Sequence, residues 1–420
     1  MTFSIEEFTE ERPSWRYYVT PKLTKARSVY NWFVYPHSFD KALIDDLITL
    51  LNLQQNAIVW DPFLGAGTLA LACKQKGISA YGSDLLPLSI VVTKAKINGY
   101  QANQLRALFS RLNYVMLPET TDRFADIPIV EKAITKEVRK FLSHLLLQIE
   151  LFDQQFQPFF LTALVSILEK ASKSVKSGGW LRIDPSKEVS VEQAQSLFRN
   201  KVEQMIIDIE EQVCPTFPEQ QPTFCIRAGD ARFAQPDQKV DAIITSPPYL
   251  NRHDYTRVFA LELALIGVTN SQELKDLRYQ TLRSHVEARS QMNEISIAEA
   301  GYVKPELIDQ AIEQMVTNGL SDPRVPRMIE GYFEDMFLVL RNAYDALTET
   351  GVAAFVLGDV RFSGVMVPVT ELICEIGTQV GFSVNKVYIA RYRGNSAQQM
   401  GNYGRIKSKE SVIILGKNAL

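Results

Sequence analysis

Short runs of β-branched and apolar residues punctuate the chain at Ala57 to Trp60, Ser79 to Gly82, Thr223 to Arg227, Asp241 to Thr245, Val352 to Leu357, Val384 to Ala390 and Ser411 to Leu415. Turn residues and a helix-like stretch follow most of them, the alternation expected of a parallel sheet with crossover helices. Between the last two no helix-length spacer with a clear apolar period intervenes, so an antiparallel hairpin at the sheet edge is predicted there. The pattern therefore gives a seven-stranded α/β sheet.

Two stretches interrupt the alternation. From Glu137 to Lys176, Val138, Phe141, Leu145, Ile149 and Phe152, then Phe160, Leu164, Ile167 and Leu168, recur at helical spacing and predict an inserted helical layer. From about Val268 to Pro326 the chain turns polar, carries Arg278, Arg283, His285, Arg289 and Arg324, with Arg327 directly after, and reads as a second, surface insertion. No internal repeat or low-complexity tract occurs.

Composition changes this picture little. Charged residues make up 22% and the hydrophobic set 46%, ordinary for a soluble globular protein. No apolar run approaches the roughly 20 residues that span a bilayer, and the start lacks a basic segment followed by an apolar one, so a cytoplasmic location is expected. With a net charge of −3, any nucleic-acid contact must come from a local basic patch. Cys73, Cys214, Cys225 and Cys374 have no C-x-x-C spacing, and the histidines form no metal-binding pair, so neither a zinc site nor a disulfide framework is indicated.

Candidate chemistry begins directly after the first strand, at Asp61-Pro-Phe-Leu-Gly-Ala-Gly-Thr68. Gly65 and Gly67 allow a sharp turn and a close approach of backbone to ligand, and the helix that follows offers free N–H groups. The segment lacks the Gly-Lys-Ser/Thr ending of a phosphate loop and the third glycine of the dinucleotide fingerprint. About twenty residues on, Asp84 ends the second strand where a ribose diol would be held. Asp230, at the end of the third strand, is a further acid suited to an adenine amine, or else a turn-capping residue. The spacing fits a nucleoside cofactor.

The most specific segment is Asp241-Ala-Ile-Ile-Thr-Ser-Pro-Pro-Tyr249. Adjacent prolines fix φ twice and remove two donors, leaving a rigid strand end with outward carbonyls. There the Ser246 hydroxyl and the Pro247 carbonyl can accept the hydrogens of a base amine, with Pro248 rigidifying the loop and Tyr249 placed to stack on an extruded base. An exocyclic amine is a poor nucleophile because its lone pair is delocalised, and acceptors aimed at its hydrogens draw it toward tetrahedral geometry. No cysteine follows a proline in a strand-end loop; Cys214 precedes Pro215 instead. A thiol attack on a ring carbon thus has no nucleophile.

With these two segments the chain resembles the S-adenosylmethionine-dependent amino-methyltransferases of DNA, particularly the N4-cytosine branch with its Ser-Pro-Pro-Tyr tetrad. Tyr35-Pro-His-Ser-Phe39 is similar to the segment that packs on the methionine end of the cofactor in that family, and Val352 to Asp359 is similar to one of its last strands. The resemblance covers roughly residues 30 to 100, 223 to 267 and 335 to 417. It implies a Rossmann-like seven-stranded methyltransferase sheet with helical insertions, bound S-adenosylmethionine, a flipped base in double-stranded DNA, and in-line attack of the amine on the sulfonium methyl. Cofactor contacts are implied for Tyr35, Phe39, Asp61, Pro62, Phe63, Gly65, Gly67, Thr68, Asp84, Leu85, Asp230 and Ala231.

The resemblance also implies a restriction–modification setting; no nuclease motif occurs in the chain, so a modification-only role and a separately encoded endonuclease as partner both stay open. Many N4-cytosine enzymes place the tetrad before the glycine loop, whereas here the loop comes first, so adenine N6 and a tRNA guanine N2 stay open as targets. Relatives acting on adenine more often carry Asp or Asn at the position of Ser246. An inactive nucleic-acid-binding descendant would be expected to show decay in the loop or tetrad, and both are intact. The expected division is 1–100 for the cofactor part, 101–222 for the helical insertion, 223–267 for the catalytic part, 268–334 for a surface insertion reading the target, and 335–420 for the last strands. Arg252, His253 and Arg257 beside the tetrad, and Arg391 and Arg393 near the end, are the expected DNA contacts, with Arg405, Lys407 and Lys409 extending the later cluster.

Overall fold

A computed structural model of the chain describes residues 4–116, 120–124, 126–177, 180–211, 221–291, 294–320, 322–394 and 403–418. Its strands are β1 (Thr9–Glu11), β2 (Ile58–Asp61), β3 (Ser79–Asp84), β4 (Ser174–Ser177), β5 (Trp180–Ile183), β6 (Phe224–Ala228), β7 (Val240–Thr245), β8 (Leu347–Gly358), β9 (Val360–Phe362), β10 (Val365–Val367), β11 (Ser383–Arg393) and β12 (Ser408–Gly416). Eight of them form one sheet in the order β1-β11-β12-β8-β7-β2-β3-β6. β6, β3, β2, β7 and β8 run parallel, and β12 lies antiparallel between β8 and β11.

All seven expected strands are present, and the last two pair as the antiparallel hairpin. The hairpin is not the outermost element, because β1 pairs parallel with β11 along Thr9, Glu10 and Glu11. A strand of three residues reading Thr-Glu-Glu has no apolar signal; its backbone bonds to β11 and the Glu10–Lys386 ion pair at 3.0 Å hold it. β8 begins five residues before Val352, since Leu347 opposes Val240 across a register shift and the Thr-Glu-Thr between them is polar.

The parallel strands are buried on both faces, as crossover helices require. Residues alternate between two cores. Val59, Ala242, Ile244, Val356 and Ile414 join Leu43, Leu47 and Leu69 on one face. Trp60, Ile243, Phe355, Leu357 and Ile413 meet Phe333, Met336 and Leu340 of the long helix Val325–Ala346 on the other.

Residues 102–211 form the helices Ala102–Arg111, Pro128–Ala133, Lys136–Glu150, Gln157–Ile167 and Val191–Glu211. The helical reading of 137–176 overran its end: Ser174–Ser177 is strand, paired antiparallel with Trp180–Ile183. These helices share a core with Val92 and Ala95 of the crossover helix Pro87–Ile97 and with Tyr35 and Phe259. Trp32, in the segment before the first long helix, donates its indole N–H to Asp208 Oδ2 at 2.7 Å. Between 268 and 326 lie Ser271–Gln280, Glu294–Glu299 and Glu306–Thr317, anchored by buried Leu274, Ile308 and Met315. Among the described residues no helix is long and apolar enough to cross a membrane.

The Trp32–Asp208 bond yields a stability prediction. Asp208→Ala strands a buried indole N–H and should cost about 1–3 kcal/mol in urea unfolding. An unchanged midpoint would show that the helical layer docks without this bond.

Candidate cofactor and substrate cavity

β2 and β7 are neighbours in the sheet, yet the chain leaves them toward opposite sides, β2 to β3 and β7 to β8. At such a switch point the two strand-end loops diverge and leave a crevice. A cleft with about 1000 Å³ of open space lies here. Its wall brings together Asp61, Pro62, Phe63, Gly65 and Thr68 after β2, Asp84 and Leu85 after β3, Asp230 and Ala231 after β6, Ser246 and Pro248 after β7, and Tyr35 and Phe39 from the N-terminal segment.

The glycine loop is fixed by backbone geometry and two carboxylates. Gly65 and Gly67 have φ of +49° and +72°, and a Cβ on Gly67 would stand 2.4 Å from Thr93 Oγ1. Gly67 thus serves the close packing of the loop on Pro87–Ile97 and is not itself on the wall. Asp84 accepts the Gly65 N–H and the Leu86 N–H, each at 2.9 Å, so one side chain bridges two loops. Burial pushes its pKa up against those bonds. Tyr35 meets Ser89 at 2.9 Å, and Ser89 in turn faces the Asp84 carboxylate. Beneath the loop, buried Lys96 donates to the carbonyls of Tyr30, Phe33 and Ala66 at 3.1, 2.9 and 2.8 Å.

Asp61 accepts the Thr245 hydroxyl at 2.6 Å and the Phe63 N–H at 3.1 Å. It is 2% exposed, and desolvation, with Asp84 nearby, raises its pKa to about 7. This bond couples the loop after β2 to the residue before Ser246.

Other predicted residues are placed differently. Pro247 and Tyr249 lie buried behind the wall. The Tyr249 phenol donates to Glu410 Oε1 at 3.1 Å and faces the Ser246 hydroxyl, and the Arg393 guanidinium sits 5.6 Å from the ring centre. Asp230 caps its turn through the Arg232 N–H at 3.0 Å and pairs with the Arg232 side chain at 2.6 Å. Arg252 pairs with Asp322 at 2.8 Å, Arg257 with Asp254 at 3.2 Å and Glu287 at 3.5 Å, and Arg391 with Glu410. Arg393 donates to the Asp359 carbonyl at 3.2 Å and Lys409 pairs with Glu371 at 3.1 Å, while Arg405 and Lys407 are exposed. The His253 ring lies 4.5 Å from that of His37, tilted by 43°; burial lowers both pKa values, His37 to about 4, so both rings are neutral at pH 7. Cys73 and Cys374 are buried free thiols; Cys214 lies outside the described residues.

The sequence reading missed part of the wall. His37 falls inside the quoted 35–39 segment but carried no signal of its own, and Tyr255 follows the tetrad by only six residues. Gln280, Thr281, Leu282, Ser284 and His285 come from the polar insertion. His285 is 3% exposed, its Nε2 is 2.9 Å from Thr281 Oγ1, and its Nδ1 has no partner among the described residues. A short, mostly polar run with one arginine, Arg283, gives no sign of inward-facing residues.

The wall suits S-adenosylmethionine. The Gly65 and Leu86 N–H groups hold one Asp84 oxygen each, which fixes the carboxylate on the wall as an acceptor for a hydroxyl donor. Phe63, Leu85, Ala231 and Leu282 offer apolar surface for an adenine. Ser246 brings an acceptor to the same space.

No protein-family model matches the chain. It is similar along 95% of its length to the Type II methyltransferase M.BsoBI of Geobacillus stearothermophilus, 28% identical with 87% of that protein covered. M.AvaI of Nostoc sp., also a Type II methyltransferase, is 28% identical over 95% of this chain and 88% of its own. M.MvaI of Kocuria varians, likewise so named, aligns at 23% identity over 52% of this chain and 53% of its own.

Two outcomes follow from the carboxylates. Asp84→Ala should weaken S-adenosylmethionine binding about 10- to 100-fold by calorimetric titration, since hydrogen bonds to a charged group are worth about 1.5–3 kcal/mol. An unchanged dissociation constant would remove Asp84 from the cofactor site. Asp61 titrates near 7 when folded and near 3.8 when unfolded, so its neutral form favours the fold. That stabilisation is complete below about 3.8 and is lost as pH rises through about 7. Asp61→Asn should therefore flatten this decline, so that stability measured at pH 8 rises relative to the parent while that at pH 4 does not.

Proposed function

We propose that the protein transfers the methyl group of S-adenosylmethionine to the exocyclic amine of a base flipped out of double-stranded DNA, with cytosine N4 as the target. The observation that carries this reading is one cavity shared by the Asp84 and glycine-loop residues and by Ser246 of the tetrad. The Type II methyltransferase relatives support DNA as the substrate class and a sequence-specific modification. We assign 1–100, 223–267 and 335–420 to the methyltransferase sheet, 101–222 to a helical support and 268–334 to target reading.

When bound, S-adenosylmethionine supplies an electrophilic sulfonium methyl. The chain's own contribution is to hold the amine. Ser246 Oγ and the Pro247 carbonyl accept its two hydrogens, which localises the lone pair on nitrogen for attack, and the rigid Pro-Pro segment keeps both acceptors in place. Thr245, bonded to Asp61, fixes that loop against the cofactor wall. No thiol takes part.

We assign the Tyr249 ring, which lies behind the wall and is bonded to Glu410, to stacking on the flipped base once the base enters, and a pair of variants separates this from a purely structural role. If its ring stacks on the flipped base, Tyr249→Phe keeps turnover and Tyr249→Ala loses about 10- to 100-fold, because base–aromatic stacking is worth about 1–3 kcal/mol. If it serves only to bond Glu410, Phe fails as badly as Ala. Methyl transfer to DNA at saturating cofactor, with mass spectrometry of the nucleosides, reads both. N4-methylcytosine in the product is expected, and a methyl on a ring carbon, or only on RNA, would overturn the proposal.

A further inference from the structure

Next to the cofactor cavity, and sharing His285 with it, lies a second groove lined by Tyr279, Arg283, Glu287, Arg289, Arg324 and Arg327. It holds about 1420 Å³ of space open to solvent, and Glu287 is its one acidic lining residue. Two of its arginines are spent on acids. Arg283 pairs with Glu334 at 2.7 Å and Asp335 at 2.8 Å, and Arg324 with Asp322 at 3.0 Å and Glu287 at 3.4 Å.

The other two are not. Arg289 and Arg327 are exposed and meet no carboxylate among the described residues. Arg289 is nonetheless held in place. Its guanidinium carbon lies 3.7 Å from the centre of the Tyr279 ring, its backbone N–H donates to the Tyr279 carbonyl at 3.1 Å, and Gln291 Nε2 braces the same turn at 3.0 and 3.2 Å. A guanidinium stacked on a ring keeps its N–H edges free and has lost much of its rotamer freedom already, which is the preparation an anion site needs.

From this we infer that the groove takes the sugar–phosphate backbone of the DNA strand carrying the target base, with Arg289 and Arg327 on its phosphates. The strand crosses the rim at His285, the residue common to both spaces. The inference rests on the function proposed above and moves the main phosphate contacts away from Arg252, Arg257 and Arg391, whose charges are met by Asp322, Asp254, Glu287 and Glu410.

The test uses the full chain and a duplex that the parent protein methylates. An Arg289→Ala/Arg327→Ala double variant should bind S-adenosylmethionine as the parent does. The slope of log affinity against log salt should fall by roughly 1.8, since each phosphate contact contributes about 0.9. An Arg289→Lys/Arg327→Lys variant should recover most of the slope. An unaltered slope with intact cofactor binding would place the backbone elsewhere and overturn the inference. Loss of cofactor affinity in the double variant would overturn it too, by making the two arginines supports of the cavity. If the parent methylates RNA but no DNA, the functional proposal itself fails, and that result is read independently of the variants.

Discussion

Asp61 and Thr245 are separated by 184 positions in the chain and by 2.6 Å in the fold. Their hydrogen bond closes the carboxyl ends of β2 and β7, the two parallel strands from which the cavity loops spring. Ladder bonds join those strands lower down, at Val59 with Ala242 and Trp60 with Ile243, but beyond Asp61 the two backbones diverge. A buried carboxyl accepting a hydrogen bond from a threonine hydroxyl is the last tie before that divergence. It sets the glycine loop and the Ser-Pro-Pro-Tyr loop at one spacing, and everything attributed to a cofactor beside an amine depends on that spacing. Burial favours a protonated Asp61, which spares the site an uncompensated charge beside Asp84.

A second constraint closes the cavity from the side of the insertion. Asp335, 1% exposed on the long helix Val325–Ala346, faces Arg232 at 3.2 Å and Arg283 at 2.8 Å and accepts the Arg283 backbone N–H at 2.8 Å. Arg283 reaches it by lying across Gly331, where a Cβ would stand 2.6 Å from its Cδ. Arg232 continues the chain of charges to Asp230 and to the Gln280 carbonyl. Removing one member of such a buried network typically costs about 3–5 kcal/mol, because the remaining charges stay desolvated. The segment from Gln280 to His285 is thus bolted to the core although its sequence is polar, and it can wall two spaces at once.

How much of this was legible depended on the range of the interaction that encodes it. The strands and the hairpin were readable because burial on both faces imprints a local apolar run. The glycine loop and Asp84 were readable because strand-end chemistry is local too. β1 was not, since three polar residues join the sheet through backbone bonds alone. Gln280, Thr281 and His285 were not, because what turns them inward is Asp335, some fifty residues away. Tyr249 and Asp230 were recognised as notable, but their present partners, Glu410 and Arg232, appear only once the chain is folded.

The arginines show the same limit in its sharpest form. Arginine clusters near a strand-end loop look alike in sequence whether they face solvent, a carboxylate or a phosphate. In the fold, Arg232 and Arg283 are structural cations with buried acids, and Arg252, Arg257 and Arg391 brace the loops around the tetrad through their ion pairs. A chain with a net charge of −3 can still present a cationic path if its acids are consumed in such pairs and a few guanidinium groups are left over where the cavity opens. What matters for a polyanion is the local surplus within about a Debye length, roughly 8–10 Å, rather than the sum over the molecule. Beside this cavity that surplus lies on the turn stacked against Tyr279 and at the start of the long helix, which are the two edges of one groove.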